Sequence, residues 1–208
     1  MKSTVDLWSS SLPLVLASKS LARFELLSKA GLLPEIIVPE FDERAFESLL
    51  EDEKAPIKSR ALALAAEKAR LGSLLRPCHY VIGADQMLNC GDDILHKPAN
   101  LQQAKQQLAD LAGKPHDLTS AVVVARDGQV LFERTDTATL TMRPLTSEQI
   151  NTYCDLVGDR VLLSVGCYEL EGLGVHLFDG VEGNFFTILG LPLEPLIGFF
   201  RSEGCLSI

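Results

Sequence analysis

The segment LTSAVVVARDGQVLFERTDTATLTM, residues 118–142, constrains the fold more than any other. Asp127-Gly128 divides two runs rich in β-branched residues, the pattern of a hairpin closed by a tight turn. The chain is thereby committed to at least one antiparallel strand pair. Its first half is built differently. Short apolar runs at LPLVLAS (12–18), PEIIVPE (34–40) and YVIGADQML (80–88) alternate with stretches of helical character. Strands separated by helices pair in parallel through crossovers. The predicted class is therefore α/β, a mixed sheet of parallel and antiparallel pairs flanked by helices.

The helices follow from spacing and stop signals. Leu21, Phe24, Leu26 and Leu27 recur at helical intervals before Gly31. Ala55–Leu75 is rich in Ala, Leu, Lys and Arg and predicts a long helix. Asn100–Ala112 predicts another, ended by Gly113, and a fourth starts at Thr146-Ser147-Glu148 and runs to about Val157. LPLEPLIGFFRSEG (191–204) closes the chain as a helix. Phe41-Asp42-Glu43-Arg44 reads as an acidic loop, NCGDD (89–93) as a turn, and the glycine-rich residues 160–190 as strands joined by loops. No repeat or linker divides the 208 residues, so one domain spanning 1–208 is expected.

Composition removes several function classes. With 19 Lys+Arg against 28 Asp+Glu the net charge is −9, which disfavours sequence-independent nucleic-acid binding. Five cysteines form no C-x-x-C pair and four histidines show no H-x-x-x-H spacing, so neither a disulfide framework nor a zinc site is expected. The amino-terminal apolar run is interrupted by Asp6, serines and Pro13, unlike a signal peptide. Phe185–Phe200 carries Glu194 and two prolines and is too short to span a bilayer. A cytoplasmic protein with no membrane partner is expected, and the apolar end region would support a homodimer.

Charged residues at the ends of apolar strands are the informative ones, because an ionised group rarely enters a core without a partner. Asp85 follows Tyr80-Val81-Ile82-Gly83-Ala84 and is expected at the carboxyl end of a buried strand, where open α/β sheets place their ligands. It reads either as a ligand-facing carboxylate or as a capping aspartate. Ser18-Lys19-Ser20 stands between strand and helix, where hydroxyls and free amides suit a phosphate, with Arg23 one turn on. Ser20 reads equally as a helix N-cap. Lys68, Lys97 and the Asp42-Glu43 pair are each either surface charges or site residues. Neither the P-loop nor the dinucleotide fingerprint occurs.

Taken in order, LVLASKSLARFELLSKAGL, FDE, AEKA, VIGADQ, KP, EGLG and GLPLEPL resemble the Maf family of nucleoside triphosphate pyrophosphatases, from about residue 13 to about residue 200. The resemblance implies a fold like that of inosine triphosphate pyrophosphatases, with a long mixed sheet, two lobes and a central cleft. It also implies hydrolysis of the bond between α- and β-phosphates with a divalent cation, Mg²⁺ or Mn²⁺. By position, Ser18 and Arg23 fall in the family's phosphate-binding turn, which also contains Ser20. Lys68 falls at its helical lysine and Lys97 in its K-P motif. Glu43 and Asp85 would hold the metal, and Asp85 would act as proton acceptor.

Gln86 and Glu171 resemble the branch that acts on 7-methyl-GTP, where a carboxylate can accept hydrogen bonds from a guanine edge. The chain also departs from the family's usual turn. Leu21, Ala22 and Phe24 leave Arg23 as its one arginine, and the aromatic residue of the 7-methyl-GTP branch is missing at Ala22. Leu163-Ser164-Val165-Gly166 replaces the usual D-K-A-G, and Thr187 replaces an asparagine. The alternatives are a dTTP/UTP pyrophosphatase and a catalytically weak nucleotide-binding regulatory protein on the same fold.

Overall fold

The computed structural model describes residues 5–49 and 56–208. Among the described residues seven strands form one sheet of order β2–β1–β3–β5–β6–β7, with β4 paired to β3. The strands are β1 (Leu14–Ala17), β2 (Glu35–Ile37), β3 (Tyr80–Cys90), β4 (Asp93–Leu95), β5 (Pro115–Arg126), β6 (Gln129–Met142) and β7 (Phe178–Glu182). As predicted, β1 lies parallel to both β2 and β3, whereas β4 and β7 pair antiparallel with β3 and β6. The hairpin turn falls where the sequence placed it, with Asp127 and Gly128 both at positive φ, 52° and 81°.

The chain divides into two compact units. The first comprises Met1–Gln86, Ser120–Asp136 and Gly190–Ile208. It holds β1, β2, the start of β3 and the hairpin tip, with helices α1 (Leu21–Lys29), α2 (Glu43–Leu49), α3 (Ile57–Leu75) and, later in the chain, α7 (Leu193–Ser202). Val15, Leu16, Val81 and Ile82 are fully buried beneath these helices. α3 lies close against the sheet because most of the residues it buries are small, Ala61, Ala65, Ala69, Gly72 and Ser73 among them. A Cβ on Gly72 would stand 2.8 Å from Val81 Cγ1 and 3.0 Å from Ala17 Cβ. Of the predicted Ala55–Leu75 helix, Ala55 lies outside the described residues.

The second unit comprises Met87–Thr119 and Thr137–Leu189. It holds α4 (Leu101–Leu111), α5 (Ser147–Val157) and α6 (Phe185–Ile188) around a core of Leu88, Leu108, Leu111, Leu118, Leu140, Met142 and Ile150. Asn100 caps α4, and a reciprocal capping box between Thr146 and Gln149 starts α5.

Three local expectations are corrected. Asp42-Glu43 is not an open loop: Asp42 Oδ1 accepts from Ala45 N at 3.0 Å, and Glu43 opens α2. Residues 160–190 contain one strand, β7, and the rest holds short 3₁₀ turns at Gly158–Leu162, Val165–Cys167 and Leu173–Leu177 and the helix α6 instead of further strands. Asp85 does not end its strand, because β3 runs on through Asn89 and Cys90, which pair with β4. It does lie beyond the parallel neighbour: the last β1–β3 pair is Leu16 with Ile82, and β1 ends at Ala17. Asp85 therefore lies past the carboxyl end of the parallel layer, within a strand that continues without it.

Candidate active site

The site grows from the contact of α3 with β3. Gly83 has no side chain, and a Cβ there would stand 2.2 Å from the Ala65 carbonyl oxygen and 2.5 Å from Ala69 N. The helix backbone thus occupies the space where a side chain would project. Strand side chains alternate, so Asp85 turns to the same face as Gly83 and meets Lys68, which precedes Ala69 on α3. Lys68 Nζ donates to Asp85 Oδ1 at 2.7 Å. On its other side Nζ pairs with Glu43 Oε2 at 2.9 Å, supplied by the first turn of α2. Lys68 and Asp85 are buried, at 9% and 8% exposure, whereas half of the Glu43 side chain is open to solvent. Two carboxylates from separate elements thus converge on one ammonium, and burial strengthens that interaction.

Beside this cluster β1 turns into α1. Ser20 caps the helix, its Oγ facing Arg23 N at 3.5 Å. Ser18 Oγ accepts from Ser20 N at 3.2 Å and from Arg23 Nη1 at 3.3 Å. Arg23 also donates from Nη1 to the Ala84 carbonyl and from Nε to the Gly190 carbonyl, each at 2.9 Å. Burial lowers the Arg23 pKa from its ordinary value, and the charges of Asp85 and Glu43 oppose that effect. The guanidinium remains cationic at neutral pH.

Of the residues singled out from the sequence, Ser18, Ser20, Arg23, Glu43, Lys68 and Asp85 all belong to the first unit and to this neighbourhood. Gln86 is in the same unit, its Nε2 donating to Ser120 Oγ at 3.2 Å; a Cβ on Gly190 would stand 3.5 Å from Gln86 Oε1 and 3.5 Å from Arg23 Nε, so Gln86 borders the Arg23–Gly190 contact. Lys97 and Glu171 belong to the second unit. Lys97 is exposed in the segment between β4 and α4, and Glu171 is exposed in the turn before the Leu173–Leu177 3₁₀ segment. Three participants escaped the sequence reading: the backbone carbonyls of Ala84 and Gly190, and Gly190 itself, held at a φ of 94°. Carbonyl acceptors carry no residue-type signal. Gly83, with no side chain, permits a close approach, and what approaches is helix α3.

Among the described residues no group of three or more His, Cys, Asp or Glu side chains is placed to hold a metal ion. The carboxylates of Glu43 and Asp85 are the oxygen donors that could face a divalent cation at this site. Mg²⁺ and Mn²⁺ take oxygen ligands, and Mg²⁺ characteristically uses one or two protein carboxylates while waters and substrate phosphates complete its shell. Two carboxylate oxygens that already share one cationic partner fit that requirement.

Comparison with known proteins adds a separate line of information. The family described as Maf-like protein matches residues 13–203. The chain is 46% identical to a nucleoside triphosphate pyrophosphatase of Bradyrhizobium diazoefficiens, over 98% of this chain and 100% of that one. It is 48% identical to a protein of the same name from Rhodopseudomonas palustris, again over 98% and 100%. A 7-methyl-GTP pyrophosphatase of Rhizobium etli is 47% identical over 92% of this chain and 96% of its own length. A solved nucleoside-triphosphatase / dITP/XTP pyrophosphatase from Mycobacterium abscessus shares 14% identity at a TM-score of 0.39, covering 93% of this chain and 96% of that one. That last likeness is too slight to bear on the site.

Proposed function

Because the chain belongs to the Maf-like protein family, we propose that it is a nucleoside triphosphate pyrophosphatase, cleaving the α–β phosphate bond to release a nucleoside monophosphate and pyrophosphate. The observation that carries this reading is the buried Lys68 ammonium held at 2.7 Å by Asp85 and 2.9 Å by Glu43, beside the Ser18–Ser20 turn. Phosphoryl transfer asks for charge compensation and positioning more than for covalent chemistry. This arrangement offers both.

Asp85 orients a water for in-line attack and takes up its proton as the bond to the departing pyrophosphate breaks. Lys68 steadies the Asp85 carboxylate and offsets negative charge developing on the phosphates. The hydroxyls of Ser18 and Ser20 and the first amides of α1 meet phosphate oxygens. Glu43 and Asp85 would hold a divalent cation, which when bound supplies Lewis-acid polarisation of the phosphates.

The proposed substrate is a modified guanine nucleotide, 7-methyl-GTP. Support comes from Gln86 and Glu171, residues able to read a base edge through an amide and a carboxylate. The Rhizobium etli relative carries that substrate in its name. Lys97 would add a cation for the triphosphate.

The test is pyrophosphate release from 7-methyl-GTP, dTTP, UTP and CTP with Mg²⁺ or Mn²⁺, for the wild type and for Gln86→Ala, Lys97→Ala and Glu171→Ala. Selective turnover of 7-methyl-GTP, with the preference weakened in Glu171→Ala, is the expected result. Preference for dTTP and UTP would retain the chemistry and overturn the base assignment. No release from any of the four by folded protein would overturn the activity.

A further inference from the structure

We propose that Arg23 is a positioning residue of this site, fixing the Ser18 hydroxyl and the backbone beside Asp85 instead of gripping the triphosphate itself. The proposal rests on the pyrophosphatase reading and adds to it how the phosphate-facing turn is held in place.

The guanidinium joins three stretches of chain that lie far apart in sequence. Nε donates to the Gly190 carbonyl at 2.9 Å, and Nη1 donates to the Ala84 carbonyl at 2.9 Å and to Ser18 Oγ at 3.3 Å. Three of its five N–H groups are thereby committed within the protein. The Ala84 contact has a structural reason. The parallel ladder ends with the Leu16–Ile82 pair, and two residues later β1 has already turned away at Ser18. Arg23 supplies the donor that a further rung would have supplied, one residue before Asp85. The Gly190 contact depends on a backbone that other residues rarely adopt, with φ at 94°, and a Cβ there would stand 3.5 Å from Arg23 Nε. A planar fork of donors with fixed angles suits three fixed acceptors, and a lysine ammonium does not reproduce it.

The consequence falls on Ser18. A hydroxyl has one proton to donate and two lone pairs to accept with. Both acceptor positions of Ser18 Oγ are taken, by Ser20 N at 3.2 Å and by Arg23 Nη1 at 3.3 Å. What remains is the O–H, which acts as a committed donor to a phosphate oxygen. Arg23 therefore acts through Ser18 and through the Ala84–Asp85 backbone. Its positive charge remains near Asp85 and Glu43, consistent with the opposing influence of those carboxylates on its pKa.

Steady-state kinetics on the substrate that the wild type turns over fastest tests this, using Arg23→Lys, Ser18→Ala and the double variant. A positioning role predicts that Arg23→Lys, although it keeps the charge, lowers kcat by about 10²-fold with KM within about threefold. Adding Ser18→Ala to Arg23→Lys then lowers kcat by much less than Ser18→Ala does alone, because the hydroxyl has already lost its orientation. A direct phosphate contact predicts the reverse: KM raised about tenfold or more, kcat within about threefold, and independent effects of the two substitutions. That result overturns the proposal.

A second measurement needs no variant and no turnover. The Arg23 Nε–H should be protected from exchange without ligand and stay so at saturating inorganic triphosphate. An Nε–H protected only after triphosphate is added would overturn the tether. Absence of turnover by the wild type on every nucleotide would instead remove the pyrophosphatase reading, leaving the Nε–H result to decide where the guanidinium is held.

Discussion

Gly83→Ala is the substitution that probes most sharply how this fold builds its site. The new Cβ would fall 2.2 Å from Ala65 O, 2.5 Å from Ala69 N and 2.8 Å from Ala69 Cβ. The first two neighbours are helix backbone and cannot rotate aside. Ordinary contacts begin near 3.5 Å, so α3 and β3 must separate by about 1 Å. Overpacking of this kind costs about 1–3 kcal/mol, and backbone neighbours put this case at the upper end, near 3 kcal/mol. For a chain of this size that lowers Tm by about 6–12 °C. The same displacement carries Lys68 away from Asp85, and a shift of that size between reacting groups costs turnover on the order of 10²-fold. Thermal melting and pyrophosphate release on the purified variant give both numbers. Gly198→Ala is the control: it lies exposed within α7, a Cβ there meets nothing within 4 Å, and it should leave Tm unchanged or slightly raised. A Gly83→Ala protein with wild-type melting and turnover would refute the claim that this close approach creates the site.

Three further outcomes are expected. Asp85→Asn keeps the shape of the side chain and removes the proposed proton acceptor, so turnover should fall about 10²–10⁴-fold while the protein stays folded by circular dichroism. Glu43→Gln should raise the Mg²⁺ concentration needed for half-maximal activity, read directly from a metal titration, because it removes one of the two proposed carboxylate donors. The last concerns stability against pH. Burial pushes His116 from 6.5 down to about 4, so between those values the unfolded chain binds a proton that the folded chain refuses. Stability is thus full above about pH 6.5 and falls on acidification towards pH 4, by about 1.4 kcal/mol per pH unit and about 3 kcal/mol in total. Urea midpoints for His116→Gln should show a correspondingly shallower fall over that window, and an unchanged slope would contradict the assignment.

What the sequence disclosed and what it hid divide along physical lines. Asp127-Gly128 was legible because few residue pairs accept positive φ at both positions of a tight turn. The α5 start was legible because its cap is made by side chains, Thr146 and Gln149. α2 was missed although Asp42 is a sound N-cap, because the helix is only seven residues long and its acidic start resembles a solvated loop. The 160–190 segment misled because glycines mark 3₁₀ turns and strand-connecting loops alike, with Gly166 at a φ of 77° inside one such turn. Asp85, Lys68 and Glu43 were each ambiguous as single residues; only the fold brings one ammonium within 3 Å of both carboxylates. The order of motifs pointed to the family, but the fixing of Arg23 by two backbone carbonyls could emerge only from coordinates.

In the proposed reaction the Asp85–Lys68–Glu43 cluster serves cleavage between the α- and β-phosphates. Phosphorus NMR of the products from 7-methyl-GTP with Mg²⁺, for wild type and Asp85→Asn side by side, tests it most directly. The account predicts nucleoside monophosphate and pyrophosphate from the wild type, with neither diphosphate nucleotide nor orthophosphate, and no product from the variant on the same timescale. Nucleoside diphosphate with orthophosphate, or undiminished turnover by Asp85→Asn, would contradict it.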